Sequence, residues 1–245
     1  MKEQRIRIIM ETLHEKKFCT IAELAQILDV SSSTIRRDLA ELSVREMVVC
    51  SKNGVIPISE LHSDPYISFR TSIHAEAKSI ISREAAKLVG DNSVIFLDSS
   101  STTLFMTDYL AYKSNLTVIT NSIAVASKLG GSGIRLILIG GEFSDRSHAF
   151  AGSTAEEMVR RYNFDASFLS SVAVTKQGYA AETVHRAASL RRVVFSHSAQ
   201  NILLCDRSKM NLDRSFNIAH IDEFDFIVTD DPVYPQNTRA TVLRV

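Results

Sequence analysis

A series of short apolar runs in the last two thirds of the chain most constrains what it can fold into. Each run has four to six residues, is rich in Val, Ile and Leu, and is separated from the next by polar loops and helical segments. The runs are VIFL (94–97), LTVI (116–119), IRLILI (134–139), ASFL (166–169), NILL (201–204) and DFIV (225–228). Such runs alternate with helices when a parallel sheet is covered on both faces. We therefore predict a doubly wound, mostly parallel α/β domain over residues 75–245.

The chain before this domain has a different pattern, with three amphipathic helical segments in its first 45 residues. Thr20 and Glu23 have the spacing of a capping box at the start of the second segment. A tight connection at 29–31 leads into the third segment, residues 31–42, which indicates a helix-turn-helix. Two β-like pieces at 47–50 and 54–57 predict the hairpin wing of a winged helix-turn-helix over residues 1–57.

The stretch at 56–65 holds two of the four prolines and shows little periodicity. Proline-rich segments without a hydrophobic period are typical of connections between domains. We assign residues 58–74 to a linker.

The orientation of the third helix follows from its period of about 100° per residue. Ile35, Leu39 and Leu42 share one face and are expected in the core, so Ser33 and Arg37 point away from it. An outward face of small hydroxyls and Arg suits the major groove, where Arg binds guanine through two hydrogen bonds. Acidic residues begin only at Asp38, beyond the part of a recognition helix that usually meets the bases. With Lys52 from the wing, the DNA-binding candidates are Ser32, Ser33, Thr34, Arg36, Arg37 and Lys52.

An ordinary three-helix subdomain with a solvated charged face is the alternative interpretation of these residues. The whole chain has 28 Lys plus Arg and 28 Asp plus Glu, so its net charge does not indicate a nucleic-acid partner. Any DNA-binding surface must therefore be local.

The loop at 98–103 follows the first predicted strand of the α/β domain and leads into a helix. Ligands of open α/β sheets bind at the carboxyl ends of the strands, and hydroxyls with N–H groups at a helix start suit a phosphate. Helix capping by Ser and Thr is the alternative. Other strand ends and one helix add polar residues to this end of the sheet. The effector-binding candidates are Asp98, Ser100, Ser101, Thr102, Thr103, Asn121, Gly140, Gly141, Arg191 and Lys209.

Two long stretches of sequence resemble one known family. Arg5 and Ile9, followed by SSSTIRRDL at 31–39, resemble the helix-turn-helix of the DeoR family of bacterial transcription regulators. Over residues 75–230 the chain also resembles the DeoR effector domain, in FLD (96–98), VITNS (118–122), IGGEF (139–143), CDRSK (205–209) and VTDD (228–231), with Arg70 and Lys78 near its start. The resemblance implies a sugar-phosphate-isomerase-like fold, a phosphorylated sugar or similar metabolite as effector, and repression of carbohydrate or related metabolism.

The chain departs from the family pattern at several positions. Ser100 replaces the Gly of an Asp-x-Gly-Thr-Thr loop, Ser170 stands where Gly is usual, and Arg191 stands where Lys is common. The wing segment at 50–55 also differs from the family's Arg-His-Gly-Gly-Ala pattern. The three changes in the effector domain indicate an altered ligand or a weakened effector site.

The expected function is that of a cytoplasmic, sequence-specific transcription regulator that binds double-stranded operator DNA as a homodimer or higher homo-oligomer. We expect no enzyme activity, cofactor, metal or membrane association, since the three Cys lie far apart and no apolar run approaches the roughly 18 residues of a membrane span. The alternative is a phosphosugar isomerase-like enzyme with an accessory N-terminal domain and Glu142, Asp98 or Asp206 as general base. A third possibility is a metabolite-binding module without DNA activity.

Overall fold

The computed structural model describes residues 2–45, 47–52, 54–60, 67–234 and 238–245. The chain divides into two compact units, Met1–Ile73 and His74–Val245. Separate apolar clusters stabilise the two units. No helix in the described ranges is long and apolar enough to span a membrane.

The first unit is a winged helix-turn-helix. Its elements are α1 (Lys2–Lys16), α2 (Ile21–Ile27), α3 (Ser32–Val44), the antiparallel pair β1 (Val48–Cys50) and β2 (Val55–Pro57), and α4 (Ile67–Ser72). The capping box at the start of α2 forms: the Glu23 N–H donates to Thr20 Oγ1 at 3.1 Å, and the Thr20 N–H donates to Glu23 Oε2 at 2.6 Å. Ser31 is the N-cap of α3. The predicted fold of this part of the chain is confirmed.

The core of the first unit contains the apolar stripe predicted for each helix. Ile35, Leu39 and Leu42 of α3 are buried together with Ile9 and Leu13 of α1. Gly54 directly precedes the second wing strand and lies in a tight space, because a Cβ there would lie 2.5 Å from the carbonyl oxygen of Cys19. No larger residue fits that position without moving the backbone.

The stretch predicted as a linker contains ordered elements. Residues 58–60 form a 3-10 turn and 67–72 form α4, while 61–66 lie outside the described residues. Phe69 of α4 is buried and packs edge-on against Phe18, with ring centroids 6.3 Å apart. Helix α4 is therefore part of the first compact unit, and the division at residues 57 and 74 stays a prediction.

The second unit is built on a parallel sheet with helices on both faces. Its helices are α5 (Ala75–Ala86), α6 (Ser101–Met106), α7 (Ile123–Leu129), α8 (Ser153–Val159) and α9 (His185–Ser196). The strands of the sheet are β3 (Val94–Leu97), β4 (Thr117–Thr120), β5 (Arg135–Leu138), β8 (Phe164–Ser170), β11 (Ser198–Leu204), β13 (Phe226–Thr229) and β14 (Thr241–Arg244). All neighbouring strands described in this sheet run parallel, in the order β14-β13-β11-β8-β3-β4-β5.

The continuous apolar runs arise because both faces of the sheet are covered. In β3, Phe96 belongs to one core cluster while Ile95 and Leu97 belong to the cluster on the other face. Strand β8 repeats this alternation with Leu169 and Phe168. Most residues of the central strands are therefore buried on both faces, as the sequence predicts for a doubly wound fold.

The strands that the sequence analysis missed lie outside the apolar runs. They are β6 (Glu142–Ser144) and β7 (Ala149–Ala151) in a hairpin, and β9 (Ala173–Val174), β10 (Tyr179–Glu182) and β12 (Phe216–His220) in an antiparallel sheet. The edge strand β14 was also missed. These strands are short or only partly apolar, and the pairing of β10 with β12 joins residues as far apart as Tyr179 and His220.

Candidate functional site

The exposed face of α3 carries the residues predicted to bind DNA. Ser32, Ser33, Arg36 and Arg37 are exposed, and Thr34 is half-buried. The Thr34 N–H donates to Ser31 Oγ at 3.3 Å. Lys52 is exposed in the wing of the same unit. The face thus presents hydroxyls and two guanidinium groups to solvent, which is a chemistry suited to base edges and phosphates.

Asp38 has a role that its position in the sequence did not reveal. Its carboxylate is buried and receives two hydrogen bonds from the Arg5 guanidinium of α1, the one from Nη2 to Oδ1 measuring 3.0 Å. The two residues are 33 positions apart, so no local pattern joins them. Asp38 therefore lies inside the unit and away from the face that carries Arg36 and Arg37.

The effector-binding candidates of the second unit lie mainly at one edge of the sheet. Of the candidates, Asp98 follows β3 and Asn121 follows β4. Two residues that were not effector-binding candidates lie at the neighbouring strand ends: Ser171 follows β8, and Asp206 comes two residues after β11. These four strands are neighbours and run parallel, so their carboxyl ends lie side by side. We call this group of strand ends the crevice.

Asp98 anchors the loop at the centre of the crevice. Its Oδ1 accepts the N–H of Ser100 at 2.9 Å and the hydroxyl of Thr103 at 2.7 Å. Its Oδ2 accepts the N–H of Ser170 at 2.9 Å and Nε of Arg191 at 2.8 Å. Burial acts to raise the pKa of Asp98, but the Arg191 charge and these hydrogen bonds outweigh it and hold the pKa below its ordinary value. Asp98 is therefore ionised, and both of its oxygens are already occupied.

Arg191 connects this loop to the smaller antiparallel sheet. Its Nη1 lies 3.5 Å from Oε1 of Glu182 at the end of β10, in addition to the bond with Asp98. All three side chains are at least nine-tenths buried. Four of the effector-binding candidates, Asp98, Ser100, Thr103 and Arg191, thus form a network closed within the protein.

Ser100 and Thr103 act as caps of α6. Ser100 Oγ accepts the N–H of Thr103 at 3.0 Å and is the N-cap side chain of the helix. Ser101 and Thr102, the next two residues, are buried in the first turn. The capping interpretation of this loop therefore accounts for two of its hydroxyls and leaves those of Ser101 and Thr102.

Besides Ser171 Oγ, three buried polar atoms of the crevice have no hydrogen-bond partner within the part of the chain that the structure describes: Thr102 Oγ1, Asn121 Oδ1 and Asp206 Oδ2. The amide of Asn121 cannot be flipped, because its Nδ2 donates to the carbonyl oxygen of Phe150 at 2.7 Å. Buried polar atoms are normally satisfied, so atoms left open at strand ends are available to a ligand or to ordered water. Two of the three are acceptors and suit hydroxyl groups of a ligand.

Two lysines supply positive charge beside these atoms. Lys209 Nζ donates to Ser170 Oγ at 2.9 Å and lies 3.8 Å from Asp206 Oδ2. Burial acts to raise the pKa of Asp206, but Lys209, a hydrogen bond from Ser208 and Lys78 hold it below its ordinary value. Lys78 is buried on α5 and was not among the candidates, since it lies on a helix rather than at a strand end.

Gly140 and Gly141 lie after β5, two strands away from β3 in the sheet. A Cβ at Gly141 would come within 2.7 Å of the carbonyl oxygen of Ala151, which accounts for this glycine by packing against β7.

Each of the two units matches the model of a known protein domain. A model of the DeoR-like helix-turn-helix domain matches residues 5–60, and a model of the DeoR C-terminal sensor domain matches residues 73–231. The chain is 32% identical to an uncharacterized HTH-type transcriptional regulator, YgbI, of Escherichia coli over 98% of this chain and 94% of that protein. It is 30% identical to the L-fucose operon activator of Haemophilus influenzae, covering 92% and 91% of the two chains. A ribose 5-phosphate isomerase A structure from Methanocaldococcus jannaschii aligns with a TM-score of 0.42 at 18% identity, covering 56% of this chain and 54% of that one.

Proposed function

We propose that this chain, which belongs to the DeoR family of transcriptional regulators, binds operator DNA through the exposed face of α3 and is controlled by a phosphorylated sugar held in the crevice. The helix-turn-helix and the sensor domain together account for nearly the whole chain. The residues that carry the two functions are the new part of the proposal.

On the DNA side, Arg37 reads a base and Arg36 contacts phosphate. This assignment is supported by the exposure of both guanidinium groups. Arg37 lies on the face opposite the buried Ile35, Leu39 and Leu42, and Arg36 lies on a flank of that face. Ser33 allows close approach of the helix to the groove, and Lys52 adds a wing contact. The wing sequence is unusual for the family, so α3 supplies most of the specificity in this proposal.

On the effector side, the open polar atoms of the crevice carry the proposal. Thr102 Oγ1 and the ammonium groups of Lys78 and Lys209 suit a phosphate, while Asn121 Oδ1 and Asp206 Oδ2 suit sugar hydroxyls. Asp98 and Arg191 position the loop in this scheme and do not touch the ligand. The relative named an L-fucose operon activator belongs to sugar metabolism, which is consistent with a carbohydrate effector.

The enzyme alternative has weak support from the three carboxylates named for it. A general base in an isomerase needs a pKa near the working pH. The pKa values of Asp98 and Asp206 are both lowered, and Glu142 has an exposed side chain on the hairpin formed by β6 and β7. We therefore propose a sensor without turnover, and an isomerase assay with pentose and hexose phosphates at micromolar protein would detect the alternative.

Repression, a cytoplasmic location and a homo-oligomeric state complete the proposal. One helix-turn-helix domain contacts too little DNA for high specificity, which favours at least a dimer on a two-fold symmetric operator. Repression stays a prediction, because a relative is named as an activator.

One experiment tests both halves of this proposal. Duplexes selected from a randomised pool by the full chain provide a probe, and fluorescence anisotropy then measures its affinity with each member of a panel of sugar phosphates and with the parent sugars. We expect sequence-selective binding that changes with a phosphorylated sugar and much less with its parent. Enrichment of no sequence would contradict DNA reading, and a response to no sugar phosphate would contradict the effector assignment.

A further inference from the structure

The recognition helix α3 carries two acidic residues, and both are held by cations of α1. Asp38 and Glu41 are three positions apart, as are Lys2 and Arg5, so each pair of side chains lies on one face of its helix. Arg5 binds Asp38, and Lys2 binds Glu41 at 2.5 Å. Two ion pairs thus connect α1 to α3.

The two pairs differ in burial. The side chains of Arg5 and Asp38 are 19% and 2% exposed, whereas those of Lys2 and Glu41 are 55% and 29% exposed. Arg5 uses Nε and Nη2 on the two carboxylate oxygens, which fixes the relative orientation of the groups as well as their distance. The buried pair restricts the rotation of α3, while the exposed pair is screened by solvent.

Because of the position of Asp38 in α3, restricting the rotation of this helix affects the residues proposed to contact DNA. Asp38 directly follows Arg37, the residue proposed to read a base, and lies one turn before Leu42 of the core. A buried carboxylate without Arg5 would have to reach water, and the place of Asp38 directly after Arg37 would bring its charge toward the DNA face, where it would repel phosphates. Arg36 and Arg37 themselves form no ion pair among the residues that the structure describes, so they remain available.

We propose that Arg5 is a positioning residue for DNA reading, because its two hydrogen bonds to Asp38 set the rotation of α3 and withdraw the Asp38 charge from the DNA face. This inference rests on the proposed function of α3 as the reading helix. The competing explanation is that the pair stabilises the unit without affecting recognition.

The test compares variants of the full chain on a duplex selected by the wild type and on a scrambled duplex of equal length. Arg5→Lys keeps the charge and loses the two-point contact, and Asp38→Asn removes the charge with little change of shape. Lys2→Ala is the matched control, since it breaks the exposed pair between the same helices. Circular dichroism sets a temperature at which every variant is folded.

The measured ratio is the dissociation constant for the scrambled duplex divided by that for the selected duplex. We expect this ratio to fall about fivefold or more in Arg5→Lys, which is the lower end of the effect of losing one base contact. Asp38→Asn should lower the ratio as well, and Lys2→Ala should leave it within about twofold of the wild type. The charge reversal Arg5→Asp with Asp38→Arg should recover part of the ratio lost in Arg5→Asp alone.

Unchanged ratios in folded Arg5→Lys and Asp38→Asn would overturn the proposal, even if both variants melt at lower temperature. Failure of the proposed function looks different, because the wild type itself would then show no preference between the duplexes.

Discussion

Asp98→Asn is the substitution that best tests the arrangement of the crevice. The change preserves the shape of the side chain but removes the charge that faces Arg191, and it places an NH₂ group against donors. Oδ1 accepts hydrogen bonds from Ser100 and Thr103, and Oδ2 accepts them from Ser170 and Arg191. In either orientation of the new amide, its NH₂ group therefore faces groups that also donate. Of the two carboxylates paired with the buried Arg191 guanidinium, those of Asp98 and Glu182, only that of Glu182 at 3.5 Å then remains.

The expected loss can be estimated from these contacts. Breaking a buried ion pair by removing one partner costs about 3–5 kcal/mol, and the residual contact with Glu182 places this case near the lower end, at about 3 kcal/mol. For a unit of the size of His74–Val245, that loss corresponds to a fall in melting temperature of about 6–12 °C.

Differential scanning calorimetry of the full chain measures this loss in the transition with the larger enthalpy, which belongs to the larger unit. Glu142→Gln is the control, because Glu142 forms an exposed pair with Arg186 at 3.6 Å, and its effect should stay within about 0.5 kcal/mol. A loss below about 1 kcal/mol in Asp98→Asn would refute the reasoning, since it would mean that Asp98 does not anchor the loop.

The same variant has a pH dependence of known sign. The folded-state pKa of Asp98 is lowered, so its contribution to stability is complete above the ordinary Asp pKa of about 3.9 and is lost as the pH falls through the lower folded value. The difference in free energy of unfolding between wild type and Asp98→Asn should therefore be constant from pH 8 to about pH 5 and become smaller below about pH 4. A difference that grows on acidification would contradict an ionised Asp98.

Further predictions concern the two binding faces and one helix cap. Arg37→Ala should cost roughly 1–3 kcal/mol on the selected duplex, while Arg36→Ala should weaken all duplexes and reduce the salt slope by about one; unchanged anisotropy titrations of both would exclude this face. Thr102→Leu should abolish, and Lys209→Met should weaken, the rise in melting temperature given by a phosphorylated sugar; a rise that persists in both would place the ligand elsewhere. Thr20→Ala should destabilise the first unit by about 1 kcal/mol in urea unfolding, and a neutral result would show that the capping box contributes little.

The parts of the fold that were predictable from the sequence depend on short-range patterns. The capping box of Thr20 and Glu23, the apolar face of Ile35 and Leu39, and the apolar runs of the central sheet are all readable within a few residues. The hairpin of β6 and β7 escaped prediction because its strands have three residues each, which is too few to show an alternating pattern.

The candidate site was predictable in location but less so in the roles of its residues. The expectation that ligands bind at strand ends identified Asp98, Asn121 and Lys209. It could not show that Asp98 already accepts a hydrogen bond from Arg191, 93 residues later in the chain. It also missed Lys78, whose helix brings it to the crevice from outside the sheet. Occupancy of a polar atom depends on tertiary contacts, and these determine which candidates remain open to a ligand.

The strand order has a consequence for the synthesis of the protein. Strand β3 lies between β4 and β8, so one of its edges stays unpaired until residue 164 and those after it have left the ribosome. At about 5–20 residues per second, the nascent chain carries that open edge for roughly 3–13 s after residue 97 has been made. Lys209 follows later still. A growing chain therefore has its DNA-reading helix complete well before it has a crevice with which to sense anything.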